Sequence, residues 1–172
     1  MKPSHLADIK LVGFDIDGVM TDGRVIVHDD DTETKNFHSR DGLGLRILKE
    51  AGIDIFIITG RRSRVVEIRA KDLGITEIHQ KVLNKLPVFE EIIAKKGLAP
   101  HEVAFAGDDL IDLPIMRRVG LAMAPADACP EVLAAAHFVA ALPGGRGAVR
   151  QMVEYILKGQ GRWEEVVRHY SQ

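Results

Sequence analysis

The sequence predicts an α/β fold: a Rossmann-type, doubly wound parallel sheet with a β-hairpin inserted after strand 1. Three observations carry this. Short apolar runs recur along the chain, segments of helical period separate them, and one turn-rich segment breaks the alternation. Residues 9–14 are the first strand candidate. Residues 53–58 are nearly all apolar and β-branched, as expected for a strand covered on both faces. Weaker runs follow at 76–79, 103–106, 121–124 and 137–139. Among the helices, 42–50 puts Leu43, Ile47 and Leu48 on one face before Gly52. The segment 63–73 ends at Gly74, and 84–96 spaces Val88, Phe89, Ile92 and Ile93 along one side before Gly97. The break lies at 24–28 and 33–37, two strands around Asp29-Asp30-Asp31-Thr32, an insertion of about residues 23–38. A tail of about 143–172 opens on Gly144-Gly145-Arg146-Gly147, runs on as a helix to Leu157, and closes in a polar stretch at 161–172 that is a short helix or frayed.

A chain of 172 residues fits one domain, 1–172. Apolar residues at 46% and charged residues at 28% exclude disordered, collagenous and disulfide-scaffold classes. A net charge of −2 gives no drive toward nucleic acid or a membrane surface. Cys129 is the only cysteine, which suits a reducing compartment. Residues 1–10 lack the apolar run of a secretory leader, and no stretch has membrane-spanning length. A soluble, cytoplasmic protein is expected.

The chemistry gathers where strands should end. In open α/β sheets ligands bind at the carboxyl ends of strands. Asp15 and Asp17 follow the first strand, Thr59 and Arg61 the second apolar run, and Asp108, Asp109 and Asp112 the run at 103–106, while Lys85 opens a helix. Two carboxylates at one strand tip repel unless a cation binds or a proton is shared. Any one Asp alone could cap a helix or close a turn. Together, oxygen-only ligands favour a hard cation such as Mg²⁺. A phosphoryl group fits the set: Asp15 attacks phosphorus, Asp17 moves the proton, and Thr59, Lys85 and Mg²⁺ offset the charge on the transferring oxygens.

Asp15-x-Asp17-Gly-Val-Met-Thr, Thr59-Gly-Arg, Lys85 and Gly107-Asp108-Asp109-x-x-Asp112, in that order, resemble the four signature motifs of the haloacid dehalogenase (HAD) superfamily. Asp17-Gly-Val-Met-Thr-Asp22-Gly23, Phe37-His-Ser-Arg40-Asp41-Gly42-Leu-Gly44 and Gly144-Gly-Arg-Gly-Ala-Val-Arg150 are most similar to the branch that hydrolyses 3-deoxy-D-manno-octulosonate 8-phosphate (KDO 8-phosphate), a step toward lipopolysaccharide. The resemblance implies a HAD-like fold, an aspartyl-phosphate on Asp15, and Asp17 as acid/base. It also implies Mg²⁺ on the Asp15 carboxylate, the Asp17 main-chain carbonyl and Asp108, with Asp109 and Asp112 behind them. Thr59 and Lys85 would bind phosphate. Substrate contacts are expected from Asp17, His38, Arg40, Asp41, Gly42, Arg46, Arg61, Arg69 and Lys85. A homotetramer is implied, its hairpins meeting at the centre.

The stretches between Asp17 and Thr59 and between Lys85 and Asp108 are too short for a cap domain. An uncapped site stays open to water, so a neighbouring subunit's hairpin and Gly-rich tail are expected to cover it. Arginines near the strand tips suit a substrate with a carboxylate as well as a phosphate. The alternative substrate is a nonulosonate 9-phosphate (KDN or N-acylneuraminate type) or another sugar phosphate. The alternative class is a non-catalytic HAD-fold binding subunit, against which the intact Asp15, Asp17, Lys85 and Asp108 argue.

Overall fold

A computed structural model describes residues 6–172; residues 1–5, part of the segment inspected for a leader, lie outside the described residues. In chain order the elements are β1 (Leu11–Phe14), β2 (Ile26–Val27), β3 (Glu33–Thr34), α1 (Ser39–Glu50), β4 (Asp54–Ile58), α2 (Arg64–Asp72), β5 (Glu77–His79), α3 (Lys85–Lys96), β6 (Val103–Ala106), α4 (Leu113–Met116), β7 (Leu121–Ala124), α5 (Pro130–Ala135), β8 (Phe138–Val139), α6 (Ala148–Gly159) and α7 (Trp163–His169). Six strands form one sheet in the order β5-β4-β1-β6-β7-β8, every neighbouring pair parallel. This is the expected α/β fold.

Alternation along each strand builds two cores. Val12, Phe14, Ile55, Ile57, Ala104 and Ala106 point to one face and pack with side chains of α1, α2 and α6. Leu11, Phe56, Ile58, Val103 and Phe105 point to the other, against α3, α4 and α5. β1 lies in the middle, and Gly13 opens the second face: a Cβ there would sit 2.2 Å from the Phe56 ring and 2.7 Å from that of Phe105. Its absence lets those rings stack across β1 with centroids 6.2 Å apart.

The structure corrects several boundaries. β1 is two residues shorter than 9–14, and α1 begins at Ser39 rather than Gly42, so it takes in Arg40 and Asp41. Only Ile26–Val27 and Glu33–Thr34 pair in the inserted hairpin, less than 24–28 and 33–37. Its turn is closed by Asp30, whose carboxylate accepts from the Thr32 N–H and hydroxyl at 3.0 and 2.6 Å. The polar end is helical over Trp163–His169, anchored where Arg150 and Lys158 approach the Trp163 ring at 5.1 and 5.6 Å. Between β1 and β4 lie only the turn after β1, the hairpin and α1, and between α3 and β6 only a turn at Pro100–Glu102; neither stretch holds a cap domain. No helix among the described residues is long and apolar enough to cross a membrane.

Candidate active site

The first two carboxylates leave the sheet in its middle. The Asp15 N–H donates to Ala106 O at 3.0 Å, so β6 fixes where the chain departs. From Ile16 to Met20 the chain winds through one wide turn, closed by the Thr21 N–H and hydroxyl on Ile16 O at 3.0 and 3.2 Å. Gly18 makes this turn possible on two counts. Its φ is +90°, and a Cβ would lie 2.0 Å from Asp108 Oδ2. The Gly-rich tail packs beneath the turn: a Cβ on Gly144 would meet Gly18 O at 1.8 Å, and the Gly145 N–H donates to Val19 O at 3.1 Å.

Opposite stands Lys85, the first residue of α3 and fully buried. Its Nζ lies 2.7 Å from Asp112 Oδ1 and 3.0 Å from Asp15 Oδ1. Asp112 Oδ2 accepts from the N–H groups of Asp108 and Asp109 at 3.0 and 3.3 Å. Asp112 thereby ties Lys85 to the loop after β6. Burial works to lower the Lys85 pKa, but the charges of Asp15 and Asp112 outweigh it and hold the ammonium above its ordinary value.

Carboxylate oxygens of Asp15, Asp108 and Asp112 fall within 4.8 Å of one another. Burial, opposed by Lys85, pushes Asp15 up to about 6. Burial and then the charges of Asp15, Asp112 and Asp109 push Asp108 up to about 8. Asp108 Oδ1 is buried without a hydrogen bond among the described residues, and Asp15 Oδ1 faces the Lys85 ammonium alone. An unsatisfied carboxylate oxygen beside a second carboxylate fits a hard divalent cation. Both Asp112 oxygens are already engaged, which leaves that residue to orient its neighbours.

A pocket of about 250 Å³ opens over these groups, lined by Asp15, Asp17, Thr59, Arg61, Asp108 and Asp109 among others. Thr59 is pinned by its main chain, donating to His79 O at 2.9 Å and accepting from the Val82 N–H at 3.1 Å. Asp109 is exposed and accepts from the Leu110 N–H at 2.7 Å. Asp17 Oδ1 pairs with the Lys35 ammonium, and Arg61 Nε lies 3.9 Å from Asp17 Oδ2. Lys35 carries no motif in the sequence; its one signal is the charge pair Glu33-x-Lys35 in a ribbon.

Other expected contacts are not brought to this pocket. Asp41 is buried and accepts from the N–H groups of Gly147 and Arg150 at 3.1 and 2.8 Å, which caps the start of α6. Gly42 is small because Arg69 crosses it: a Cβ would lie 2.2 Å from the guanidinium. Arg46 and Arg69 both turn to Asp72, at 3.6 and 2.7 Å, and Arg69 also lies over Phe37, 5.8 Å from the ring centroid. His38 precedes α1, and Arg40 is exposed on its first turn. Ion pairs draw Arg46 and Arg69 elsewhere, and the cap on α6 draws Asp41.

The haloacid dehalogenase-like hydrolase family model matches residues 40–120. The 3-deoxy-D-manno-octulosonate 8-phosphate phosphatase KdsC of Yersinia pestis is 46% identical over 92% of this chain and 84% of its own length. The chain belongs to the KdsC family of haloacid dehalogenase-like hydrolases. Escherichia coli K12 KdsC is 43% identical over the same shares. Of solved structures in the KdsC family, that from Moraxella catarrhalis, in complex with a magnesium ion, a phosphate ion and KDO, is 39% identical with a TM-score of 0.94 over 96% of this chain and 95% of its own.

Proposed function

We propose that this protein is a Mg²⁺-dependent phosphomonoesterase that hydrolyses 3-deoxy-D-manno-octulosonate 8-phosphate to KDO and inorganic phosphate. One observation carries the chemistry: three separate stretches of chain bring Asp15, Lys85, and Asp108 with Asp112 into one cluster. KdsC relatives that match most of the chain support the substrate.

Asp15 is the nucleophile. Its carboxylate oxygen forms a bond to phosphorus as the bond to the substrate's terminal oxygen breaks, and Asp17 delivers its proton to that leaving alkoxide. Asp17, now a carboxylate, takes a proton from the attacking water. The new phosphorus–oxygen bond forms as the acyl-phosphate bond to Asp15 breaks, releasing inorganic phosphate. Lys85 and the Thr59 hydroxyl bind the equatorial oxygens, and Asp112 keeps Lys85 aimed. Mg²⁺, held by Asp15, the Asp17 carbonyl and Asp108, supplies charge neutralisation at the phosphoryl group.

Sugar-acid recognition falls to Arg61 at the pocket and to residues at a subunit boundary. The hairpin supports a homo-oligomer, a tetramer in this proposal, since Val25 and Val27 are 50% and 64% exposed on a two-stranded ribbon. Neighbouring hairpins and Gly-rich tails would then cover the open pocket. The cytoplasm is the proposed location.

Phosphate release with Mg²⁺ from KDO 8-phosphate, KDN 9-phosphate and glucose 6-phosphate tests the proposal. KDO 8-phosphate is expected to lead in kcat/KM, and Asp15→Asn to abolish turnover. Equal rates on all three compounds would remove the substrate and keep the reaction class.

A further inference from the structure

Lys35 follows β3 in the inserted hairpin, and its side chain is 1% exposed although most of that ribbon faces solvent. An ammonium is costly to bury unless it is paired, and the partner here is Asp17 Oδ1. Two residues earlier, on the same face of the ribbon, Glu33 Oε2 lies 3.4 Å from Arg61 Nη2, and Arg61 Nε lies 3.9 Å from the other Asp17 oxygen. Each oxygen of Asp17 therefore faces a cation. One of those cations comes from the chain's own hairpin, and the other is held by it.

We propose that Lys35 is a positioning residue for the acid/base of the reaction: by pairing with Asp17 Oδ1 it fixes the carboxyl group and leaves Oδ2, which accepts no hydrogen bond among the described residues, to carry the transferred proton, while Glu33 holds Arg61 in the same frame. A carboxylate on a single-methylene stem rotates about two bonds. General acid catalysis needs it within hydrogen-bond reach of the leaving oxygen and then of the incoming water. The Lys35 pair removes that freedom before substrate arrives, as a buried contact on a rigid element should. The hairpin thus works on its own chain's site and not only between subunits. This inference rests on Asp17 being the acid/base.

The leaving group reports the difference. A sugar alkoxide needs a proton to depart, whereas p-nitrophenolate leaves without one. With Mg²⁺ saturating, Lys35→Met is expected to lower kcat/KM on KDO 8-phosphate by about 100-fold, in the range of a lost acid/base contribution. That ratio reports the leaving-group step and not the later attack of water shared by all substrates. On p-nitrophenyl phosphate the loss in kcat/KM should be at least about tenfold smaller, and Lys35→Arg should recover most of the lost kcat/KM on the sugar phosphate. A parallel fall on both compounds would mean that Lys35 merely supports the fold or touches the phosphoryl group, and no fall on either would mean that it is idle. Both results overturn the proposal. Circular dichroism melts establish that the variants are folded, and Lys35→Gln serves as the neutral variant if Lys35→Met is not. Should the unmodified protein act on p-nitrophenyl phosphate but not on KDO 8-phosphate, only the substrate assignment fails. An alkyl phosphate that it does hydrolyse then takes the sugar's place in the comparison.

Discussion

Asp15 and Asp108 spend stability on the site they build. In the fold they keep their protons up to about 6 and about 8, whereas the unfolded chain releases them near 3.8. The folded state therefore binds more protons, so their contribution is complete below the unfolded value and is lost as pH rises through the two folded values. Without metal, the melting temperature is expected to fall between about pH 5.5 and about pH 8.5. A divalent ion takes over the role of those protons, so the rise in melting temperature on adding saturating Mg²⁺ should be larger at the upper pH. Asp108→Asn should shrink that difference, and an equal gain at both pH values would contradict the assignment. Asp15, Asp17, Lys85 and Asp108 were legible because strand tips in this topology converge. The fates of Asp41, Arg46 and Arg69 were not: their partners Gly147, Arg150 and Asp72 lie on other elements, at separations no local pattern encodes.

Elements carry the site's precision. Asp41 joins α1 to the start of α6 through two main-chain hydrogen bonds, so Asp41→Ala should cost about 1–2 kcal/mol, the range of a lost helix cap, read as a lower urea midpoint at unchanged slope. Gly144 has a sterner requirement, since any side chain strikes the main chain of the turn that carries Asp17. Gly144→Ala should shift that turn and lower kcat/KM by about 100-fold, the order expected for a catalytic group misplaced by an ångström, while far-ultraviolet circular dichroism is retained. The long core strands were legible as continuous apolar runs. By contrast, α4 and α5 span four and six residues, too few for a helical period to show, and each has a proline in its first turn. The paired part of the hairpin came out short: Glu33 and Lys35 tie it to Arg61 and Asp17, while Val25 and Val27 stay exposed.

For the whole molecule, that exposed ribbon sets the next expectation. If hairpins meet between subunits, replacing Val25 and Val27 by serine should shift the mass seen by light scattering toward the single chain, and an unaltered mass would remove the hairpin from the interface. The sheet order was legible only as a class, because the sequence of apolar runs does not state which run lies at the centre. Gly13 fits β1 to that place, since two phenylalanine rings from its neighbours meet over the missing side chain. The seat of Gly144 under the Asp15–Asp17 turn makes two stretches more than a hundred residues apart mutually dependent: the acids keep their aim only while the distant glycines stay wedged beneath them, so loosening that wedge would disarm the pocket with every acidic side chain still present.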